Sequence, residues 1–344
     1  MKRFFKTLPA LWFRAGFAPA LIPLLPFSWL FRGAVFIRRF LYRHALLPSV
    51  TLPVPVIVVG NLTVGGTGKT PLALWLVEHL KEAGRRPGII SRGYGAAGAS
   101  GVFEVLPDSP AALAGDEPLL LARRSGVPVF VGRDRAAAGV RLLNKHPECD
   151  VLVSDDGMQH YRIGRLVEIA VFDARGAGNR RLLPAGPLRE PLSRLPELTA
   201  LVWNSCPAEM MPPSVPVFSM RLMGDEFYRL DDASVRRSAA GLRGGPFYAV
   251  AGMGDPSRFF RHLESLGLEF EAHPFPDHHV YSAEDFAFAR EGAVLMTEKD
   301  AVKCAGLTPR ETWVLPVEAR IAPAVGGRSL FDVLLEKLNG SSIA

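Results

Sequence analysis

Apolar residues in the middle of the chain form short blocks that alternate with stretches of helical periodicity. The clearest block, 54–59, is followed by a glycine-rich connection and then by a helical pattern over 71–83. Alternation of this kind indicates an α/β fold, in which a mostly parallel sheet carries helices on both faces. Further strands are predicted at 86–91, 102–106, 127–131, 150–156 and 168–173, with helices at 115–124 and 134–145.

A proline-rich stretch from about 176 to 216 interrupts this alternation. With 344 residues the chain is long enough for two domains, each with its own core. We predict a first domain over 51–205, a smaller second α/β domain over 206–326 and a C-terminal helix over 327–344. Within the second series, strands are predicted at 247–251, 268–273 and 293–296 and helices at 256–266, 283–290 and 328–338.

The first 50 residues differ in composition from the rest of the chain. They contain eight Lys or Arg residues and no Asp or Glu, whereas the whole chain carries a net charge of +6, so the remaining residues are slightly acidic. Large aliphatic and aromatic residues lie between these cations. The longest charge-free run, 15–31, is 17 residues long and contains three prolines. A spanning helix needs ~20 apolar residues, so this run is short and interrupted.

The mixture of basic and aromatic residues predicts that segment 1–50 is helical and lies in the membrane interface, where cations meet anionic lipid. A true membrane span and an ordinary helical element of the core remain as alternatives. Nucleic acid is not an expected partner, because the large aliphatic side chains would have no role there. Cys149, Cys206 and Cys304 lie far apart, which argues against disulfides and a cysteine zinc site and favours a reducing compartment.

The connection after the first predicted strand carries the most specific motif in the chain. A strand, a glycine-rich turn and Gly-Lys-Thr at the start of a helix are arranged as in a phosphate-binding P-loop. In that motif the lysine reaches the β- and γ-phosphates of a nucleotide, and the threonine hydroxyl binds Mg²⁺. A glycine-rich connection without a ligand is the alternative. The candidate nucleotide-binding residues are Thr63, Val64, Gly65, Gly66, Thr67, Gly68, Lys69 and Thr70, with Thr63 standing where the general pattern has a glycine.

Two adjacent carboxylates, Asp155 and Asp156, end the buried strand predicted at 150–156. This is the Walker B arrangement, in which a carboxylate orders Mg²⁺ beside the P-loop threonine. Solvated acids in a turn are the alternative. Gln159 and His160 follow closely and are expected to line the same cleft.

Asp116 and Glu117 form a second acidic pair, in a loop expected to face the ligand crevice of an open α/β sheet. One of them is placed to accept a proton from an attacking hydroxyl, and a helix N-cap is an equally good interpretation of Asp116. The cluster 277–279 (Asp-His-His) lacks the fixed spacing of a metal site. It offers either a histidine that assists a base or ordinary structural histidines. The motif 297–300 (Thr-Glu-Lys-Asp) fits a helix capping box at least as well as a guanine-reading motif.

Together these motifs resemble the tetraacyldisaccharide 4'-kinase family, the lipid A 4'-kinases. The order and spacing match over roughly residues 50–305, and the basic, aromatic N-terminus also fits. The family pattern shares the threonine at position 63, and the poorest match is over 180–245. The resemblance rests on the motifs at 60–61, 65–71, 91–95, 115–118, 155–160 and 297–300.

The resemblance implies a membrane-associated P-loop kinase of Gram-negative bacteria, at the cytoplasmic face of the inner membrane. Such a kinase transfers the γ-phosphate of ATP, with Mg²⁺, to the 4'-hydroxyl of a tetraacylated glucosamine disaccharide 1-phosphate and forms lipid IVA. Asp116 then corresponds to the catalytic base and His278 to its partner. Thr70, Asp155 and Asp156 are the metal candidates, and Arg92, Glu117, Gln159 and His160 are candidates for substrate or cleft contacts.

Two other function classes compete with a kinase. A P-loop GTPase-like regulator or metallochaperone predicts a guanine-reading motif and metal-binding cysteines, and the sequence has neither. In a non-enzymatic, membrane-tethered ATP-binding module, Asp116 and His278 would be dispensable.

Overall fold

The structure of the chain is a computed structural model. Tyr94, Gly95 and Cys206, which the sequence analysis singles out, lie outside the described residues. The description covers residues 8–14, 16–93, 101–205, 215–242, 245–289, 291–308, 311–324 and 326–340.

The elements alternate between strand and helix over the first half of the chain, as predicted. The strands are β1 (Val56–Gly60), β2 (Pro87–Ser91), β3 (Phe103–Val105), β4 (Val129–Val131), β5 (Val151–Asp155), β6 (Val167–Asp173), β7 (Ala200–Asn204), β8 (Val217–Met223), β9 (Glu226–Arg229), β10 (Arg236–Ser238), β11 (Phe247–Ala251), β12 (Glu271–Pro274), β13 (Ala293–Thr297), β14 (Thr312–Leu315) and β15 (Glu318–Ala322). The α-helices are α1 (Leu25–Arg43), α2 (Lys69–Glu82), α3 (Ala111–Ala114), α4 (Asp116–Ser125), α5 (Arg135–Lys145), α6 (Ser257–Ser265), α7 (Glu298–Ala301) and α8 (Leu330–Asn339). Short 3-10 helices lie at Pro19–Leu24, Leu192–Glu197, Ala239–Gly241 and Ala283–Phe286.

The first sheet has nine strands in the order β15-β8-β7-β6-β1-β5-β2-β4-β3. Its inner strands are parallel, and antiparallel β3 and β15 form the two edges. The central strands β1, β5 and β6 are buried along their whole length and rich in β-branched residues, as expected when helices cover both faces. The predicted P-loop-type sheet is confirmed.

The carboxyl ends of the parallel strands meet at one edge of the first sheet. β1 is followed there by the glycine-rich loop, and Val59 of β1 pairs with Asp155 at the end of β5. β2, β6 and β7 end at Ser91, Asp173 and Asn204. In open α/β sheets this edge is where ligands bind.

The second sheet has six strands in the order β10-β9-β14-β13-β11-β12. The strands β14, β13, β11 and β12 are parallel, whereas β9 and β10 are antiparallel. Helix α6 contributes Phe259 and Leu263 to the core on one face. A smaller second α/β unit is therefore present. The helix predicted over 283–290 is reduced to the 3-10 turn Ala283–Phe286.

The two sheets do not correspond to two continuous stretches of the chain, as the predicted domain limits had assumed. Strands β8 and β15 come from the range assigned to the second domain, yet both pair within the first sheet. Helix α8 packs Leu330, Leu334 and Leu338 into the core of the first sheet rather than standing apart. The division at 205 and 326 remains a prediction, but these elements belong structurally to the first sheet. Both strands alternate apolar and polar residues, but this alternation shows only that one face is buried, not which sheet the strand joins.

The N-terminal segment lies against the first sheet's loops. Trp12 donates to the carbonyl of Pro184 at 3.0 Å, Ser28 donates to that of Leu182 at 2.8 Å, and Arg39 pairs with Glu197 at 2.8 Å. Within α1 only Ser28 is buried, so this helix is not an ordinary core element. By length and composition the stretch Pro19–Arg43, 25 residues long, is sufficient to cross a membrane.

Candidate active site

The glycine-rich loop is shaped by two glycines with left-handed backbone. Gly65 has φ 102° and Gly68 has φ 98°, a region that a residue with a Cβ adopts only at a cost. Helix α2 begins directly afterwards at Lys69, so its N-terminus and successive backbone N–H groups face the edge of the sheet. This geometry suits an anionic phosphate chain.

The start of the same loop is held by neighbours on either side. Thr63 is buried and forms a β-bridge with Leu188, and Val64 packs against the buried residues of the N-terminal segment. These two residues therefore shape the loop from outside the cavity. The loop residues that line the cavity are Gly65, Gly66 and Lys69.

Two carboxylates from the end of β5 lie beside the loop. Thr70 Oγ1 is 3.4 Å from Asp155 Oδ2, and Lys69 Nζ is 3.6 Å from Asp156 Oδ1. Asp155 is buried, and its Oδ1 has no hydrogen-bond partner among the described residues. Burial raises the pKa of Asp155 to about 7, Glu117 adds to the effect, and the charge of Lys69 opposes it.

An orphaned carboxylate oxygen next to a threonine hydroxyl fits a hard divalent cation. Mg²⁺ prefers oxygen ligands and keeps several waters, so one or two carboxylates suffice. A cation there would lower the pKa of Asp155 again, because an opposite charge favours the ionised form. Within the described residues no group of three or more His, Cys, Asp or Glu side chains is placed to hold a metal. A site completed by phosphate oxygens does not require such a group.

Asp116 and His278 meet across the boundary between the two sheets. His278 Nδ1 lies 3.0 Å from both carboxylate oxygens of Asp116, although the residues are 162 positions apart in the chain. Asp116 is the first residue of α4, and its side chain makes no capping hydrogen bond because Gly115 occupies the N-cap position. His278 has φ 59°, a left-handed conformation that is uncommon outside glycine. Such backbone outliers cluster at functional sites.

Charges around this pair set its protonation. Burial alone raises the pKa of Asp116, but the His278 hydrogen bond and the charges of Lys299 and Lys303 outweigh it and lower that pKa to about 2. The same hydrogen bond raises the pKa of His278 above its ordinary value of 6.5, against the effect of burial. Asp116 is therefore ionised at neutral pH, and His278 holds its proton more tightly than an isolated histidine.

Of these groups, Lys69, Asp116, Asp156 and His278 line one cavity of ≈ 740 Å³. One wall comes from the first sheet, one from the second sheet, and one from helix α1. The lining residues are Phe31, Ala34, Val35, Arg38, Gly65, Gly66, Lys69, Ser91, Arg92, Asp116, Glu117, Pro118, Asp156, Gln159, Tyr161, Arg189, Glu190, Asp277 and His278.

The remaining predicted candidates divide into two groups. Arg92, Glu117 and Gln159 line the cavity, and Glu117 pairs with Lys299 at 3.1 Å. His160 does not line it. Its Nε2 accepts from the backbone N–H of Arg135 at 3.2 Å, and burial followed by the charge of Arg135 lowers its pKa to about 4, so it is a neutral, structural acceptor.

Arg189, which lines the cavity, and Lys299, which contacts two lining residues, were not predicted from the sequence. Arg189 pairs with Asp156 at 3.3 Å and comes from the proline-rich stretch, where no motif marked it. Lys299 lies within the motif at 297–300. Thr297 does cap α7 there by accepting from Asp300, and Lys299 also pairs with Glu117 and Asp277. Position in a capping box gave no sign of this second contact.

Comparison with known proteins finds a matching family model and similar proteins. A family model described as tetraacyldisaccharide-1-P 4'-kinase matches residues 20–338. The tetraacyldisaccharide 4'-kinase of Dechloromonas aromatica (strain RCB) is 56% identical over 327 residues, which is 95% of each chain. That of Azoarcus sp. (strain BH72) is 52% identical over 325 residues, 94% of each chain.

A solved structure has the same architecture. The crystal structure of the "apo" form of LpxK from Aquifex aeolicus in complex with ATP aligns with a TM-score of 0.76 at 33% sequence identity. The alignment covers 88% of the present chain and 95% of the other.

Proposed function

Since the chain belongs to the family of tetraacyldisaccharide-1-phosphate 4'-kinases, we propose that its cavity joins ATP and an acylated disaccharide through Asp116 and His278. The protein is an ATP-dependent phosphotransferase with an alcohol group as acceptor, acting in lipid A biosynthesis. A GTPase-like regulator or metallochaperone is not favoured, because the matching relatives are named kinases. The contact of His278 with both oxygens of Asp116, at the mouth of the glycine-rich loop, supports the proposed site most directly.

ATP would lie with its phosphates over the loop 63–70 and the N-terminus of α2. Lys69 Nζ is positioned between this loop and Asp156, where it can reach the β- and γ-phosphates. Thr70 and Asp155 are the residues that would hold Mg²⁺, with Asp156 beside them. Bound there, the cation would neutralise charge on the transferring phosphoryl group.

The reaction forms a bond between the 4'-oxygen of the sugar and the γ-phosphorus, and it breaks the bond from that phosphorus to ADP. The hydroxyl proton must leave as the new bond forms, and Asp116 accepts it. A carboxylate of ordinary pKa (~3.9) is a weak base for an alcohol. His278 compensates by sharing the proton through Nδ1, provided that the imidazole is neutral.

The acylated sugar stays in the bilayer, since each buried CH₂ contributes ~0.8 kcal/mol to its insertion. Helix α1 lines the cavity with Phe31 and Arg38 and presents other apolar side chains outward. We place this outward face in the membrane interface, on the cytoplasmic side of the inner membrane. The exposed apolar residues are Phe27, Trp29, Leu30, Phe36, Ile37 and Phe40.

The reaction is tested by incubating the purified protein with ATP, Mg²⁺ and an extracted tetraacyldisaccharide 1-phosphate. Mass spectrometry of the lipid should show the gain of one phosphate, absent when ADP replaces ATP. Unmodified lipid with a folded protein would contradict the proposed function. Omitting Mg²⁺ in the presence of a chelator should abolish the product, and full product without divalent cation would remove the metal from the proposal.

The membrane assignment is tested with a variant in which Trp29, Leu30, Phe36 and Ile37 are replaced by Ser. It should sediment less with vesicles containing phosphatidylglycerol than the wild-type protein does. Leu106→Ser, which changes an exposed apolar residue of the first domain, serves as the control. High salt should release the wild type only in part, because burial of aromatic rings is not screened. Unchanged sedimentation of the Ser variant would contradict the assignment.

A further inference from the structure

Three successive carbonyl groups of the glycine-rich loop are each held by side-chain donors from outside the cavity. Asn61 Nδ2 donates to the carbonyl of Gly65 at 3.1 Å, and Asn204 Nδ2 donates to that of Thr67 at 3.0 Å. Between them, the carbonyl of Gly66 accepts from two guanidinium groups, Arg175 at 3.3 Å and Arg258 at 3.4 Å. None of these donors is among the residues that line the cavity.

These contacts orient the loop's backbone N–H groups. A trans peptide is planar, so the carbonyl of one residue and the N–H of the next point in opposite directions. Holding the carbonyls of Gly65, Gly66 and Thr67 from outside therefore directs the next three N–H groups toward the cavity. Those N–H groups, of residues 66 to 68, form the cradle that a phosphate chain needs.

One of the donors comes from the second sheet. Arg258 lies in α6, whereas Asn61 and Arg175 follow β1 and β6 and Asn204 ends β7 of the first sheet. Arg258 reaches Gly66 by pairing with Asp173 at 2.7 Å, and Arg175 pairs with the same carboxylate at 2.6 Å. Asp173, at the end of β6, is almost completely buried and thus fixes both guanidinium groups.

The second domain's loop before α6 lies directly over the same stretch. A Cβ built on Gly254 would be 3.5 Å from the backbone nitrogen of Gly66. Arg258 and this loop therefore approach the P-loop together, on the element of the second domain that follows β11.

We propose that Arg258 is a positioning residue through which the second domain raises the affinity of the P-loop for ATP. Docking of this domain adds the second donor to the Gly66 carbonyl and also brings His278 to Asp116. Tight ATP binding and the assembled base thus depend on the same docking. This inference rests on the proposed use of the loop 63–70 as the ATP site.

The test is calorimetric titration of the full chain with a non-hydrolysable ATP analogue and Mg²⁺, without lipid. Arg258→Ala should raise the Kd by about tenfold, since hydrogen bonds from charged groups are the stronger class. Asn204→Ala should weaken binding similarly, because it releases the next carbonyl. Arg261→Ala removes a cation one turn along α6 that contacts only Ser257 among the partners found in the described residues, and it should bind as the wild type does.

The outcomes separate the inference from its premise. A wild-type protein that does not bind the analogue would refute the ATP site itself. If Arg258→Ala binds like the wild type while its turnover falls, Arg258 only holds the domains together and the proposal is wrong. Should Arg258→Ala unfold, Arg258→Lys keeps the charge but loses the forked donor, and a wild-type Kd in that folded variant would equally overturn the proposal.

Discussion

The two halves of the cavity are built differently. The half that faces the phosphates comes from β1 and β5, neighbouring strands that place the glycine-rich loop next to Asp155 through pairing of Val59 with Asp155. The half that completes the base comes from the second domain, which contributes His278 and Lys299. The same domain also reaches the glycine-rich loop through Arg258. Backbone pairing within one sheet builds the first half, whereas side-chain contacts between domains supply the second.

This difference determines which contacts are lost when the second domain moves away. A protein whose second domain is displaced still has Lys69, Thr70 and both carboxylates of β5 in place. It loses the Arg258 contact with the glycine-rich loop and, in the proposed mechanism, the histidine that completes the base. In the proposed mechanism, a base that is incomplete until the domains meet would also limit the reaction of ATP with water.

The largest effect is expected in the first half. Lys69→Ala should abolish turnover, because the contact with the β- and γ-phosphates is lost while the fold stays intact. Phosphate transfer to the lipid is the measurement, with thermal unfolding to check the fold. Lys81→Ala, near the other end of α2, is the control and should stay active, because Lys81 donates to the carbonyl of Ser125 away from the cavity. Near-normal turnover of a folded Lys69→Ala protein would reject the P-loop assignment.

Replacing Asp116 or His278, the pair proposed to act as the base, should have the next largest effect. Asp116→Ala and His278→Ala should each lower kcat by ~10²–10⁴, the range for a positioned acid–base group. The double variant should be little worse than the poorer single variant, because residues that act as one unit are not additive.

His279→Ala is the matched control for this pair. It changes the adjacent histidine, which contacts Asp285 at 3.1 Å instead of Asp116, and should retain most of the activity. Losses that multiply fully in the double variant would mean that Asp116 and His278 work separately.

The dependence of kcat on pH tests the contribution of His278, which the second domain supplies. In the proposed mechanism His278 must be neutral to share the proton, and its pKa is raised above 6.5. The plot of kcat against pH should therefore have an acidic limb, in which kcat rises as His278 loses its proton above pH 6.5. The stabilising attraction between Asp116 and protonated His278 changes with pH in the opposite direction to kcat. It stabilises the docked domains below the pKa of His278 and is lost as the pH rises through that pKa. In His278→Ala this acidic limb should disappear. If it persists, the limb is due to the titration of another group.

The smallest effect is expected for Lys299→Ala. The positive charge of Lys299 lowers the pKa of both Asp116 and His278, so its removal should move the acidic limb to higher pH. The shift should be at most about one pH unit, because other cations remain nearby. A shift to lower pH would contradict this electrostatic role, because freeing Asp277 from its cation should also raise the pKa of His278.

Local order along the chain was sufficient to predict the first half of the site. A buried strand, two glycines with the required backbone and Lys-Thr at a helix start lie in consecutive residues. Asp155 and Asp156 end another buried strand, and parallel strands bring their carboxyl ends to one edge. Hydrophobic periodicity therefore predicted both the sheet and the position of these groups. The pairing of Asp116 with His278 was instead inferred from family resemblance, since spacing alone left it open.

Tertiary structure decided what no local pattern encodes. Arg189, Asn204 and Arg258 reach the loop 63–70 or its carboxylates from a proline-rich stretch, a strand end and a distant helix. His160 directly follows the cavity residue Gln159, yet its ring contacts the backbone of Arg135, because adjacent residues direct their side chains differently. Strands β8 and β15 likewise joined the first sheet from sequence assigned to the second domain. Motifs depend on short backbone segments, whereas these contacts depend on how distant elements pack, and packing is a property of the whole chain.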